Sequence, residues 1–253
     1  MNTASTLTQE NGIARISLHS GRGNPIRPVL LDELHAHLDA LNDDLPRVLV
    51  LDAGDAPIFS GGFDLPMIAG WSREQIGSFF GRFNDVLTRI LQLPCPSIAA
   101  VGGHAIAGGF ILSLACDLRV VRNGPLKLGL SEVKLGVAVP AGTLALLTAR
   151  TSPQAALKIS LLASLIGPEE AQRIGYADAV VDDPIAHAMQ LAGKLAALPG
   201  PGVGITHTFG ATPILQAIEK ADAYGMEAFL DTWFSPEGQA CIHAMAKKLS
   251  GKG

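Results

Sequence analysis

Val101–Asp117 reads V-G-G-H-A-I-A-G-G-F-I-L-S-L-A-C-D. The run leading into it, Ser97–Val101, has the composition of a buried strand. Gly109–Ala115, beyond the glycines, reads as a short apolar helix. Gly108 and Gly109 therefore fall where that helix begins. A helix start leaves backbone N–H groups unpaired and carries roughly +0.5 of a charge. Glycine there has no Cβ, so a ligand oxygen can come close to the backbone. The stretch suits an anion, or an oxygen that becomes anionic during a reaction. The same two glycines equally permit close packing of helix on strand with no ligand involved.

A second stretch, Phe59–Ile68 (F-S-G-G-F-D-L-P-M-I), follows another buried run, Arg47–Ala53. Two later blocks are Gly129-Leu130-Ser131-Glu132-Val133 through Gly136 to Pro140, and Gly167-Pro168-Glu169-Glu170-Ala171 through Gly175 to Val181. With Ala115-Cys116-Asp117-Leu118-Arg119, these segments resemble, in order and spacing, the signatures of the crotonase family, the enoyl-CoA hydratase/isomerase superfamily. The resemblance runs from about Ile13 to about Val181 and is loose beyond. It implies an α/β, crotonase-like spiral of ββα units with a C-terminal helical region that trimerises. On that basis residues 1–198 are the core and residues 199–253 a helical oligomerisation region.

The chain has 253 residues, enough for one large domain, or one domain and an appendage. Hydrophobic residues make up 48% and charged residues 17%, so surface is expected to be buried in an oligomer as well as in the core. A net charge of −4 gives no reason to expect nucleic acid or an acidic membrane as partner. Met1–Gly12 is polar and lacks the apolar run of a signal peptide, and no stretch reaches the ~18 apolar residues of a membrane span. The expectation is a cytoplasmic protein. Cys95, Cys116 and Cys241 fit reduced thiols packed as small apolar groups.

Ile13–Leu18 alternates as a strand, Gly21–Pro28 is a loop, and Pro28–Leu41 carries five leucines on one helical face. Ser72-Arg73-Glu74-Gln75 is a capping box opening a helix whose stripe includes Phe79, Phe80 and Phe83. These rings read as core, or as lining for an acyl pocket. Ser152-Pro153, Gly167-Pro168, Asp183-Pro184 and Ser235-Pro236 each place a cap before a first-turn proline. Pro199–Gly210 reads as a linker, and Ile214–Leu249 behind it as helix. A strand–turn–strand–helix unit recurs at Val48, Ile98 and Leu118. Leu215, Ile218, Phe229, Trp233 and Phe234 form stripes expected to pack between subunits and to help close the neighbour's site.

Several chemistries are excluded. There is no phosphate-binding P-loop and no G-x-S-x-G elbow. His35 and His37 are two apart on a helix and face different ways. His104 in the glycine-rich turn reads as structural or exposed. No metal and no separate cofactor is expected, coenzyme A being part of the substrate.

The resemblance implies an oxyanion hole built from the backbone N–H groups of Phe63 and Gly108. Losing one such donor costs about 3 kcal/mol in comparable sites. Hydratases of the family use two glutamates. The first falls here on Ile111, three residues past Gly108, and no carboxylate occurs between Gly102 and Cys116. The second is present as Glu132. One glutamate suits proton movement between the α and γ carbons of one substrate, the isomerisation of 3-enoyl-CoA to 2-enoyl-CoA. Pro140, eight residues past Glu132, also resembles the single-glutamate isomerase branch. Coenzyme A is expected along Asn24-Pro25-Ile26 and the turn Gly61, Gly62, Asp64 and Leu65, held mainly through backbone groups. Arg27 is a candidate for the phosphates, or a solvated arginine, and Asp64 reads as a turn-stabilising residue. Hydration, another thioester reaction such as hydrolysis, or a silent acyl-CoA-binding protein are the alternatives. A homotrimer or dimer of trimers is the expected assembly.

Overall fold

The computed structural model describes residues 3–251, and its first element is one that hydropathy does not announce. Ser5–Glu10 (β1) pairs antiparallel with Ile13–Leu18 (β2) across Asn11 and Gly12, both at positive φ. Asn-Gly is the pair that a two-residue hairpin of type I′ requires. The polar opening of the chain is thus an edge strand, with mostly exposed side chains.

Helix α1 (Pro28–Asp43) buries Leu30, Leu31, Leu34, Leu38 and Leu41, as its periodicity predicts. Three ββα repeats follow. Val48–Asp52 (β3) leads to Ile58–Ser60 (β4), a short turn of helix Leu65–Ile68 (α2) and the long helix Arg73–Gln92 (α3). Ser97–Val101 (β5) leads to His104–Ile106 (β6) and Gly108–Leu114 (α4). Leu118–Arg122 (β7) leads to Leu128–Gly129 (β8), a 3₁₀ turn over Glu132–Leu135 and Ala141–Arg150 (α5). The first strands of the repeats lie side by side in a six-stranded sheet, β1-β2-β3-β5-β7-β9, with Ala179–Val181 as β9. The second strands form a small sheet, β4-β6-β8, all parallel. One repeat stacked on the next is the spiral.

The remaining helices are Pro153–Leu162 (α6), Pro168–Arg173 (α7), Pro184–Ala196 (α8), Gly200–Trp233 (α9) and Pro236–Ser250 (α10). Ser72 and Gln75 complete the capping box of α3, and the Ser152, Asp183 and Ser235 side chains cap as their sequence context implies. The expected linker Pro199–Gly210 is instead the first part of α9, which starts at Gly200 and runs through Pro213. Close packing explains one glycine there: a Cβ on Gly204 would stand 2.9 Å from the Pro94 carbonyl oxygen. The apolar stripe of α9 is also reassigned. Ile218, Phe229 and Trp233 are buried in their own chain's core, with Leu215 and Phe234 packed against it. The three buried residues are thus not open to a neighbouring subunit.

Candidate active site

The ends of β4, β6 and β8 lie next to one another, because the three strands are parallel neighbours. Phe63, Gly108 and Glu132 each follow one of these strands by two or three residues. Equivalent turns of three successive repeats therefore bring together residues far apart in sequence.

The turn after β4 spends nearly all its amides on itself and on the loop through Gly23 and Ile26. Gly61 N–H donates to Gly23 O, Gly62 N–H to the Ser60 hydroxyl, Asp64 N–H to Ile26 O and Leu65 N–H to Phe63 O. Phe63 differs. Its neighbours form a parallel bridge to Ile26, in which Ile26 N–H donates to Gly62 O at 2.8 Å and Asp64 N–H to Ile26 O at 3.3 Å. Alternation along an extended segment then aims the Phe63 N–H away from Ile26. It has no acceptor among the described residues.

Gly108 is the first residue of α4, so its N–H has no acceptor within the helix. The residue before it, Ala107, sits at φ 50° and ψ −124°, an unusual positive-φ conformation between β6 and the helix. The two glycines divide the readings left open by the sequence. A Cβ on Gly109 would lie 2.1 Å from the Ser60 carbonyl oxygen, so Gly109 serves close packing of α4 on β4. Gly108 faces the turn of the preceding repeat, its own Cβ position 3.4 Å from Gly62 Cα.

Beside these turns is a cavity of about 420 Å³. Its wall includes Gly61, Phe63 and Leu65 from the first turn, Ala107 and Ile111 from the second, and Ser131, Glu132, Val137 and Pro140 from the third. Gly108 is buried and is not among the lining residues. Glu132 is the only carboxylate in the lining. It opens the 3₁₀ turn, half-buried, and its Oε2 accepts the Ser131 N–H at 2.7 Å. Burial pushes its carboxyl up to about 6, against the opposing pull of the backbone N–H groups of Glu132 and Ser131. Ile111, three residues past Gly108, is 1% exposed and contributes only hydrocarbon.

A second, outer groove adjoins the cavity and shares Gly61, Phe63, Leu65 and Leu249 with it. Arg22, Pro25, Arg27, Gly62 and Asp64 line it. Asn24 and Ile26 do not reach it. Asn24 is buried at φ 43°, and its side-chain amide donates to Leu18 O and Ile58 O. Ile26 is buried beneath the turn. Arg27 is neither free nor fully solvated, since its Nε donates to Asp64 Oδ2 at 2.5 Å. Asp64 also caps α2 by accepting the Met67 N–H, a turn-stabilising role.

Other candidates are structural. His104 Nδ1 accepts the Lys127 N–H at 3.0 Å and joins β6 to the chain entering β8. Cys95 and Cys116 are buried, with thiols pushed up to about 12 by desolvation, and are inert near neutral pH. No group of His, Cys, Asp and Glu able to hold a metal occurs among the described residues.

Residues of two C-terminal helices also reach the cavity. Phe229 and Trp233 of α9, and Met245 and Leu249 of α10, line it from the same chain. Their spacing is that of any amphipathic helix, and nothing local says what they cover. Phe80 is both core and lining, whereas Phe79 and Phe83 clamp the Phe63 ring at centroid distances of 5.2 and 5.0 Å.

Residues 8–218 match the enoyl-CoA hydratase/isomerase family. Mitochondrial methylglutaconyl-CoA hydratase of Mus musculus is 31% identical over 179 residues, covering 70% of this chain and 57% of that protein. Mitochondrial enoyl-CoA delta isomerase 1 of Homo sapiens is 28% identical over 174 residues, covering 68% of this chain and 58% of that protein. The matched part thus spans little more than half the length of these relatives. The crystal structure of human mitochondrial delta3-delta2-enoyl-CoA isomerase superposes with a TM-score of 0.91 over 98% of this chain and 99% of that one, at 22% identity, which establishes the fold. The chain belongs to the enoyl-CoA hydratase/isomerase family and has the crotonase fold.

Proposed function

We propose that this family member moves the double bond of a 3-enoyl-CoA to give the 2-enoyl-CoA. One observation carries the reading: Glu132 is the sole carboxylate of a cavity in which Ile111 occupies the place of a second. The thioester carbonyl oxygen would accept from the Phe63 and Gly108 N–H groups, which stabilise the negative charge that develops there. The Glu132 carboxylate takes a proton from C2. The C2–H bonding pair then becomes part of a dienolate spread over the carbonyl oxygen, C2 and C4. Glu132 returns the proton to C4, leaving the double bond between C2 and C3. A carboxyl raised to about 6 is ionised at neutral pH yet basic enough to hold a proton in transit. Hydration needs a group to hold the attacking water as well, and Ile111 offers none.

The outer groove, with Arg22 and Arg27 beside it, is where the coenzyme A portion would lie. The amides of Gly61, Gly62, Asp64 and Leu65 are committed internally, so the ligand there meets carbonyls and side chains. Assembly into a homotrimer or dimer of trimers is part of the same reading. Ile205, Phe209 and Tyr224 of α9, at 55%, 74% and 73% exposure, give it apolar surface to bury. A stable monomer in sedimentation at micromolar concentration would contradict the assembly.

The test of function is a panel of 3-enoyl-CoA and 2-enoyl-CoA substrates of several chain lengths. The expected result is turnover of the 3-enoyl series with little hydration of the 2-enoyl series. Strong hydration by the wild-type protein would assign the chemistry to the hydratases instead.

A further inference from the structure

Solvent exposure separates the cavity's floor from its rim. Phe80, Ile111, Val137, Phe229 and Trp233 are all nearly inaccessible, at 4%, 1%, 2%, 2% and 3%. Lys134, Leu165 and Leu249 are exposed and form the rim, and Leu249 also faces the outer groove. Phe63 and Glu132 belong to the same lining.

The floor is an aromatic cluster that is hard to displace. Phe80 comes from α3, and Phe229 and Trp233 come from α9, two helices that pack together. Ring centroids are 4.4 Å apart for Phe80–Phe229, 5.7 Å for Phe80–Trp233 and 6.1 Å for Phe229–Trp233. Phe80 is further held by the Phe63 ring at 4.6 Å. Moving any one ring disturbs the others, and such aromatic contacts add to the area each ring buries. The Trp233 Nε1 is buried with no hydrogen-bond partner among the described residues.

We infer that Phe80, Phe229 and Trp233 form a fixed stop that sets the length of the acyl group, so that short- and medium-chain acyl-CoA thioesters are accepted and long-chain ones are excluded. This rests on the acyl-CoA reading above and goes further by naming the substrate class. The cavity's ~420 Å³ is near the lower end of the ~300–1,000 Å³ usual for small-molecule sites. A chain longer than the floor allows must displace packed rings or fold back toward the rim, where its methylenes meet water.

The test is calorimetric binding of saturated butyryl-, hexanoyl-, octanoyl-, dodecanoyl- and hexadecanoyl-CoA, each below its micelle concentration, with free coenzyme A as reference. Saturated thioesters have no double bond to move, so the profile stands apart from which reaction the enzyme performs. Affinity should rise to octanoyl-CoA and then fall about ten-fold or more toward hexadecanoyl-CoA, on the scale by which pockets discriminate a few methylenes. Phe229→Leu and Trp233→Leu should each move the optimum to a longer chain. Phe80 is left unchanged because its ring touches Phe63. Affinity that climbs steadily to hexadecanoyl-CoA in the wild-type protein would overturn the inference whatever the variants do. An unshifted optimum in two folded variants would do the same. If no acyl-CoA and no free coenzyme A bind, the acyl-CoA reading itself fails.

Discussion

A Cβ added to Gly62 would stand 3.0 Å from the backbone nitrogen of Gly108. Gly62 is in the first repeat's turn, at φ +87°, and Gly108 opens the helix of the second. Alanine at 62 would strain the backbone and press on the amide proposed to hold the thioester oxygen. Gly62→Ala should therefore cost about 1–3 kcal/mol of stability. It should also lower kcat/KM by about 10²-fold or more. Denaturant unfolding and steady-state kinetics on the same preparation check both, and a folded variant of wild-type activity would contradict the placement.

Gly109 should tolerate substitution far less. Its Cβ would overlap the Ser60 carbonyl at 2.1 Å, and a backbone atom cannot rotate aside. Gly109→Ala is expected to lose about 3 kcal/mol or more by forcing α4 off β4. The midpoint of urea unfolding measures it.

Glu132 makes two pH predictions. As the base it must be ionised in the free enzyme, so kcat/KM should rise with pH through a midpoint of about 6 and then level off. Its effect on stability has the opposite sign. The folded-state value of about 6 is above the ordinary 4.5, so its contribution is fully present below pH 4.5 and is lost as pH rises through about 6. Glu132→Gln removes that loss. The variant should gain on wild type by about 2 kcal/mol between pH 4 and pH 7. Chemical denaturation across that range would contradict the assignment if the difference stayed constant.

Ile111→Glu places a carboxyl where the hydratase pattern has one. The expected outcome is measurable 2-enoyl-CoA hydration, with a loss of stability from burying an unpaired acid. Assaying soluble protein by the absorbance of the enoyl thioester reads the first, and thermal unfolding reads the second. A stable, folded variant with no hydration would show that more than the missing carboxylate separates this site from a hydratase.

Much of this was legible in the chain, for reasons that differ by residue. The ββα repeat shows at Val48, Ile98 and Leu118 because strands buried on both faces are continuous apolar runs. The leucines of α1 and the caps at Ser72, Ser152, Asp183 and Ser235 are local signals with local causes. Strand β1 escaped because an edge strand need not alternate, although Asn11-Gly12 marked its hairpin. Pro199–Gly210 reads as a linker because glycine and proline have low helix propensity, which tertiary packing such as that at Gly204 overrides. Phe229 and Trp233 read as interface residues for a related reason: an apolar stripe says that something covers it, not what. The pairing of Arg27 with Asp64, thirty-seven positions apart, has no sequence signature at all.

The central claim is that Glu132 alone carries the proton between C2 and C4. The most direct measurement is the isomerisation rate of Glu132→Gln on a 3-enoyl-CoA, beside its calorimetric affinity for the matching saturated acyl-CoA. The account predicts a rate lower by roughly 10²–10⁴-fold with acyl-CoA binding retained. Isomerisation within about ten-fold of wild type, by a variant that still binds acyl-CoA, would contradict it and would require a different group to move the proton.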